Sequence, residues 1–86
     1  MGWNSIEVKQ KHPFLTGIQS GSYVYFVHSY YSFPEKEETV LATSTYGIEF
    51  PAIIAKNLII GTQFHPEKSS KVGLQMLYNF IQMVKS

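Results

Sequence analysis

The chain has 86 residues, enough for one small domain, and its net charge is only +1. A charge near zero and the absence of arginine disfavour a nucleic-acid partner, because clustered cations dominate binding to phosphate backbones. The sequence also lacks cysteine, which excludes disulfides, thiolate metal sites and a thiol nucleophile within these residues, and it has no apolar run long enough to span a membrane.

Most of the chain predicts β-structure. In chain order, strand patterns occupy residues 3–8, 23–31, 40–45, 50–55 and 58–64. Lys11-His12-Pro13 predicts a turn after the first strand, because proline restricts the residue before it, and residues 14–18 predict a short helical turn or irregular structure. The middle of the second strand is apolar on both faces, which predicts cover on both sides. Lys56-Asn57 predicts a hairpin turn, since asparagine tolerates positive φ.

Residues 70–84 predict a single C-terminal helix. Apolar residues recur there at spacings of three and four, which predicts one apolar stripe made of Leu77, Phe80, Ile81 and Val84. Ser69 or Ser70 is expected to cap the amino end. Several strands followed by one helix form an α+β pattern when this stretch is taken alone.

The segment from Gly61 to Ser69 carries the clearest chemical signal. His65 can take and return a proton near neutral pH, and Glu67 lies two residues later, on the same side of an extended chain. Pro66 stiffens the link between them. A carboxylate that bonds one imidazole nitrogen leaves the other to activate a nucleophile, which is the logic of a catalytic triad. Taken alone, a His-x-Glu pair is more often an ordinary surface pair at a strand end.

The complete string Gln63-Phe64-His65-Pro66-Glu67-Lys68-Ser69 resembles the His-Pro-Glu segment of class I glutamine amidotransferases. The resemblance implies an α/β fold: the C-terminal part of a flavodoxin-like domain, here mainly antiparallel strands and one helix, so that residues 1–86 are a single partial domain. It also implies that His65 and Glu67 complete a triad with an upstream cysteine, without a metal or organic cofactor.

Two further stretches are similar to the glutaminase subunits of imidazole glycerol-phosphate synthase. The first is Met1-Gly2-Trp3-Asn4, and the second is the strand that contains His28, Ser29 and Tyr30. The resemblance implies that the second stretch binds the amino-acid end of the substrate glutamine. It also implies that Trp3, Asn4 and Lys68 meet or gate a cyclase subunit, the partner that receives ammonia for histidine biosynthesis. Without the family, these would be ordinary strand, turn and surface residues.

Three functions stay open from the sequence. The first is the glutaminase half of imidazole glycerol-phosphate synthase, inactive alone because its nucleophile lies elsewhere. The second is a related glutaminase with another ammonia acceptor. The third is a non-catalytic remnant that only binds the partner. The amino terminus lacks the basic and apolar regions of a signal peptide, which predicts a cytoplasmic protein.

Overall fold

The computed structural model describes residues 2–26 and 37–85 as antiparallel strands followed by one C-terminal helix. This confirms the predicted mixed α/β fold. The strands are β1 (Gly2–Ser5), β2 (Glu7–Val8), β3 (Tyr23–Phe26), β4 (Val40–Tyr46), β5 (Ile48–Lys56) and β6 (Ile59–Thr62). Helix α1 is Ser70–Lys85. Short 3-10 turns occupy Pro13–Leu15, Glu37–Thr39 and Pro66–Lys68.

The described strands form two separate sheets, one of β1 and β3 and the other in the order β2-β4-β5-β6. The single strand predicted over residues 3–8 is therefore wrong. Ile6 divides it, because its amide donates to the carbonyl of Ser22 and its carbonyl accepts from the amide of Gly21. The main chain of Ile6 therefore takes part in the ladder of neither sheet. The Ile6 side chain enters the core instead. Alternation alone does not reveal that a strand changes sheet at its middle residue.

The hairpin between β5 and β6 has the predicted type of turn, shifted by one residue. The turn lies at Asn57 and Leu58, and Asn57 has a φ of 57°. This is the left-handed region, which asparagine adopts more readily than branched residues do. The preceding connection, from β4 to β5, passes through Gly47 with a φ of 79°. Local turn chemistry was therefore readable from the sequence.

The core lies between the two sheets and one face of α1. At its centre Phe26 of β3 makes edge-to-face contacts with Phe50 of β5 and with Phe64, at centroid distances of 5.6 and 5.7 Å. Such pairs contribute roughly 0.5–1.5 kcal/mol each beyond the area they bury. The predicted cover on both faces of the second strand is not seen in β3, where Val24 is buried but Tyr23 is exposed. Phe64 ties the chain just before His65 into this core.

The face that helix α1 buries differs from the apolar stripe seen in the sequence. Its buried residues are Gly73, Met76 and Asn79, with Phe80 half-buried. Three members of the predicted stripe are exposed instead, on a second apolar face formed by Leu74, Leu77, Tyr78, Ile81 and Val84. Because apolar residues occupy two faces, periodicity could not decide which one packs inward. Within residues 2–26 and 37–85, no helix has the length and apolar character needed to cross a membrane.

Candidate active site

The segment that carries His65 is anchored by hydrogen bonds at the end of β6. Gln63 donates its amide to the carbonyl of Ala52 at 2.9 Å, and the Thr62 hydroxyl donates to the carbonyl of Phe64 at the same distance. The Phe64 ring is buried. His65 follows in an extended conformation with φ −101° and ψ 103°, as expected for a residue before proline. His65 is thus held at the surface by a buried neighbour.

His65 and Glu67 are in direct contact. His65 Nδ1 lies 3.0 Å from Glu67 Oε2, and the two side chains are 35% and 58% exposed. A hydrogen bond from its own backbone N–H, and then the one from His65, hold the pKa of the Glu67 carboxyl below its ordinary value. An ionised carboxylate only accepts hydrogen bonds, so Nδ1 must be the protonated nitrogen. In the neutral ring Nε2 then carries the lone pair that can take a proton.

The expected proximity of the pair is confirmed, but the reason given for it is wrong. Glu67 does not continue an extended strand; it lies inside the 3-10 turn Pro66–Lys68. Lys68 donates its amide to the carbonyl of His65 at 3.0 Å and closes this turn. The carboxylate reaches back to the imidazole across the turn. Pro66 begins the turn because its fixed φ suits the first helical position.

The three residues predicted to meet a partner lie on the described surface. Trp3 is 53% exposed and makes an edge-to-face contact with Tyr25 at 5.5 Å. Lys68 is exposed beside the His65–Glu67 pair. Asn4 is half-buried: its side-chain amide donates to the carbonyl of Thr45 at 2.8 Å, and its oxygen accepts from Ser5. Asn4 therefore ties β1 to β4, and the partner role of all three stays a prediction.

The predicted glutamine-binding residues His28, Ser29 and Tyr30 lie outside the described residues. Their role stays a prediction. Among residues 2–26 and 37–85 there is no group of three or more His, Cys, Asp or Glu side chains placed to share a metal ion.

Sequence reasoning missed the part that Ser69 plays at this site. Ser69 or Ser70 was expected to cap α1, but the Ser69 hydroxyl accepts from the amide of Tyr25 and donates to the carbonyl of His65. The helix begins at Ser70 with a φ of 59°. No local pattern could have revealed the link, because Tyr25 and Ser69 are 44 residues apart in the chain.

The sequence matches the family model of glutamine amidotransferase class-I over residues 1–84. This chain belongs to that family. Similar curated proteins include the imidazole glycerol phosphate synthase subunit HisH of Methanosarcina mazei, 54% identical over 85 residues, which covers 96% of this chain and 42% of the relative. The protein of the same name from Geobacter sulfurreducens is 52% identical over 83 residues, covering 96% of this chain and 40% of the relative.

A third relative, the HisH subunit of Natronomonas pharaonis, is 53% identical over 83 residues, covering 94% of this chain and 38% of the relative. The chain thus spans about two fifths of the length of the curated relatives it matches. No cysteine occurs in the 86 residues.

Proposed function

We propose that this chain supplies the acid–base pair of a glutaminase, with His65 as the proton carrier and Glu67 as the residue that orients it. The observation that carries the proposal is the 3.0 Å contact between His65 Nδ1 and Glu67 Oε2 in a member of an amidotransferase family. The pKa of the Glu67 carboxyl is lowered from an ordinary value that already lies below neutral, so the carboxylate is ionised at neutral pH and fixes the imidazole tautomer.

In the proposed reaction, a cysteine thiol transfers its proton to His65 Nε2 and attacks the side-chain carbonyl carbon of glutamine. His65 returns the proton to the departing amide nitrogen, which leaves as ammonia, and a thioester forms. Water, deprotonated by His65, hydrolyses the thioester to glutamate and restores the thiol. Glu67 stays ionised throughout and stabilises the imidazolium.

The cysteine of this reaction must come from polypeptide outside the 86 residues, so we regard the chain as part of a larger catalytic domain. Its span of about two fifths of the curated relatives supports this. The second apolar face of α1 supports it as well, because a contiguous exposed apolar surface is usually covered in the assembled protein. Alone, the chain should not hydrolyse glutamine.

The remaining roles extend this proposal. His28, Ser29 and Tyr30 would hold the amino-acid end of glutamine. Trp3 and Lys68, both exposed, would face a cyclase subunit that consumes the ammonia, with Asn4 supporting β1 beside them. The names of the relatives support a role in imidazole glycerol phosphate synthesis, and hence in histidine biosynthesis. A cytoplasmic location is part of this proposal.

The test is a chimera in which this chain replaces the matched region of the Geobacter sulfurreducens relative. We expect the chimera, mixed with the cyclase subunit of that organism, to convert glutamine to glutamate, and His65→Ala to lower the rate by at least about 100-fold. His12→Ala is the matched control, because its imidazole also makes one hydrogen bond, which it accepts from the amide of Phe14, but lies in another turn. The rate of glutamine conversion by Glu67→Gln is compared with the rate of Glu49→Gln, since Glu49 is another glutamate with a lowered pKa.

The outcomes distinguish the three functions that the sequence left open. An active chimera that loses its activity with His65→Ala but not with His12→Ala supports the proposal. A folded chimera that binds the cyclase subunit but hydrolyses no glutamine would favour the non-catalytic remnant. Activity without cyclase binding would favour a different ammonia acceptor. For the interface, Trp3→Ala should weaken binding of the cyclase subunit more than Ile59→Ala, an exposed apolar residue on β6.

A further inference from the structure

A buried serine joins the His65 segment to strand β3. Ser69 is fully buried, and its hydroxyl accepts from the amide of Tyr25 at 2.9 Å while it donates to the carbonyl of His65 at 2.6 Å. The amide of His65 donates directly to the carbonyl of Tyr25 at 3.1 Å. Both main-chain groups of Tyr25 are therefore used to hold His65, one directly and one through Ser69. We call this three-residue arrangement the serine clasp.

The serine clasp replaces one rung of a β-ladder. Two extended segments normally exchange two backbone hydrogen bonds at a paired position. Here one of the two bonds is a backbone bond, and the Ser69 hydroxyl supplies the second connection. The substitution is needed because Pro66 turns the chain away from β3 immediately after His65. Without the hydroxyl, the Tyr25 amide would lose a partner in a part-buried site, and the His65 carbonyl would lose its link to β3.

The helix behind the serine clasp is packed too tightly to let it shift. A Cβ on Gly73 would lie 1.7 Å from the carbonyl oxygen of Pro66 and 3.0 Å from the Cβ of Ser69. Only glycine allows α1 to approach the Pro66 turn this closely. Gly73 also donates its amide to the Ser69 carbonyl at 3.1 Å. The clasp therefore has a rigid support on the side opposite β3.

We propose that Ser69 is a positioning residue, which sets His65 in register with β3. This inference rests on the proposed glutaminase function. In the sequence, Tyr25 is followed after two residues by His28, Ser29 and Tyr30, the predicted glutamine-binding stretch. A hydroxyl that binds both Tyr25 and His65 holds the proton carrier against the strand that precedes this stretch in the sequence. It thereby limits the displacement of His65 relative to β3.

The kinetic test uses the chimera described above and compares Ser69→Ala with Ser44→Ala. Ser44 is the matched control, since it is also buried and its hydroxyl also donates to a backbone carbonyl, that of Ser5, at 2.7 Å. Small misplacements of a catalytic group cost up to about 100-fold in rate. We expect Ser69→Ala to lower kcat by at least about tenfold while KM for glutamine changes by less than about twofold, and Ser44→Ala to keep the parent kcat.

A merely structural role makes a different prediction, namely that both variants lose stability and neither loses kcat selectively. Equal kcat in the parent and Ser69→Ala would overturn the positioning role while leaving the proposed function intact. A parent chimera whose activity survives His65→Ala would instead remove the proposed function and the role of Ser69 with it.

A second measurement does not depend on the folding of Ser69→Ala. In the unsubstituted chimera, the Tyr25 amide should exchange with deuterium at least about 100-fold more slowly than an unprotected amide, because it is bound to the Ser69 hydroxyl. Free exchange at Tyr25 would mean that the serine clasp does not form, and would overturn the proposal.

Discussion

Replacing Gly73 by alanine tests how closely α1 approaches the Pro66 turn. By helix propensity alone, an alanine in the interior of a helix is favoured over glycine by about 1 kcal/mol. The structure predicts the opposite sign, because the added Cβ would lie 1.7 Å from the Pro66 carbonyl oxygen and 2.7 Å from its carbon. Helix propensity and the steric contact therefore predict changes in stability of opposite sign.

The magnitude follows from the distance. A carbon and a carbonyl oxygen are not normally closer than about 3.3 Å, so the Pro66 carbonyl and α1 must separate by about 1.6 Å. Overpacking of this kind costs about 1–3 kcal/mol, and the upper end applies here because the obstacle is backbone and not a flexible side chain. Subtracting the propensity gain of about 1 kcal/mol leaves a net loss of about 2 kcal/mol.

The free energy of unfolding is measured by urea titration or thermal melting with circular dichroism. A loss of about 2 kcal/mol corresponds to a fall in Tm of about 8–16 °C for a chain of this size. Gln82→Ala, at an exposed position of the same helix, serves as the control and should change stability by less than about 0.5 kcal/mol. A Gly73→Ala protein as stable as the parent, or more stable, would refute the close approach.

Three further predictions concern other parts of the fold. Asn57→Ala should lose about 1 kcal/mol in urea titrations, because at a φ of 57° alanine keeps the Cβ but lacks the short polar side chain that makes this conformation tolerable for asparagine. Asn57→Gly should stay within about 0.5 kcal/mol, because glycine has no Cβ. Asn79→Ala should lose about 2–3 kcal/mol in the same assay, because the buried amide donates to two backbone carbonyls that would be left unpaired; an unchanged stability would show that water replaces it. A hydrogen bond from Thr43, and then the ion pair with Lys9, lower the pKa of Glu49. The contribution of Glu49 to folding stability is therefore present above the unfolded pKa of the carboxyl and is lost as the pH falls through the lower folded pKa. Glu49→Gln should therefore reduce the difference in stability between pH 6 and pH 3, and an unchanged difference would count against this ion pair.

The features that the sequence predicted correctly depend on nearby residues. The left-handed conformation of Asn57, the extended conformation of His65 before proline and the helix that follows Ser69 all arise from interactions within a few residues. The contact between His65 and Glu67 also belongs to this group, since two residues separated by one proline can hardly be far apart. The backbone conformation at Glu67 was still predicted wrongly, because a 3-10 turn and a strand end both bring the two side chains together.

The features that the sequence did not predict depend on residues far apart in the chain. The packing of α1 is one example: apolar residues lie on two of its faces, and the choice of Met76 over Leu77 for burial depends on where the sheets lie. The change of sheet at Ile6 is another, since it requires Gly21 and Ser22 as hydrogen-bond partners. In both cases the local sequence is compatible with more than one arrangement of the chain.

The amino-acid sequence by itself determined the family, the antiparallel strands with a C-terminal helix, and the identity of the imidazole and the carboxylate that meet. Only the tertiary structure decided how this pair is held. The Ser69 hydroxyl reaches His65 and Tyr25 together because β3 and the start of α1 pack side by side, and α1 comes that close because Gly73 has no side chain. Contacts between such distant residues follow from the packing of the whole core, which no local pattern encodes.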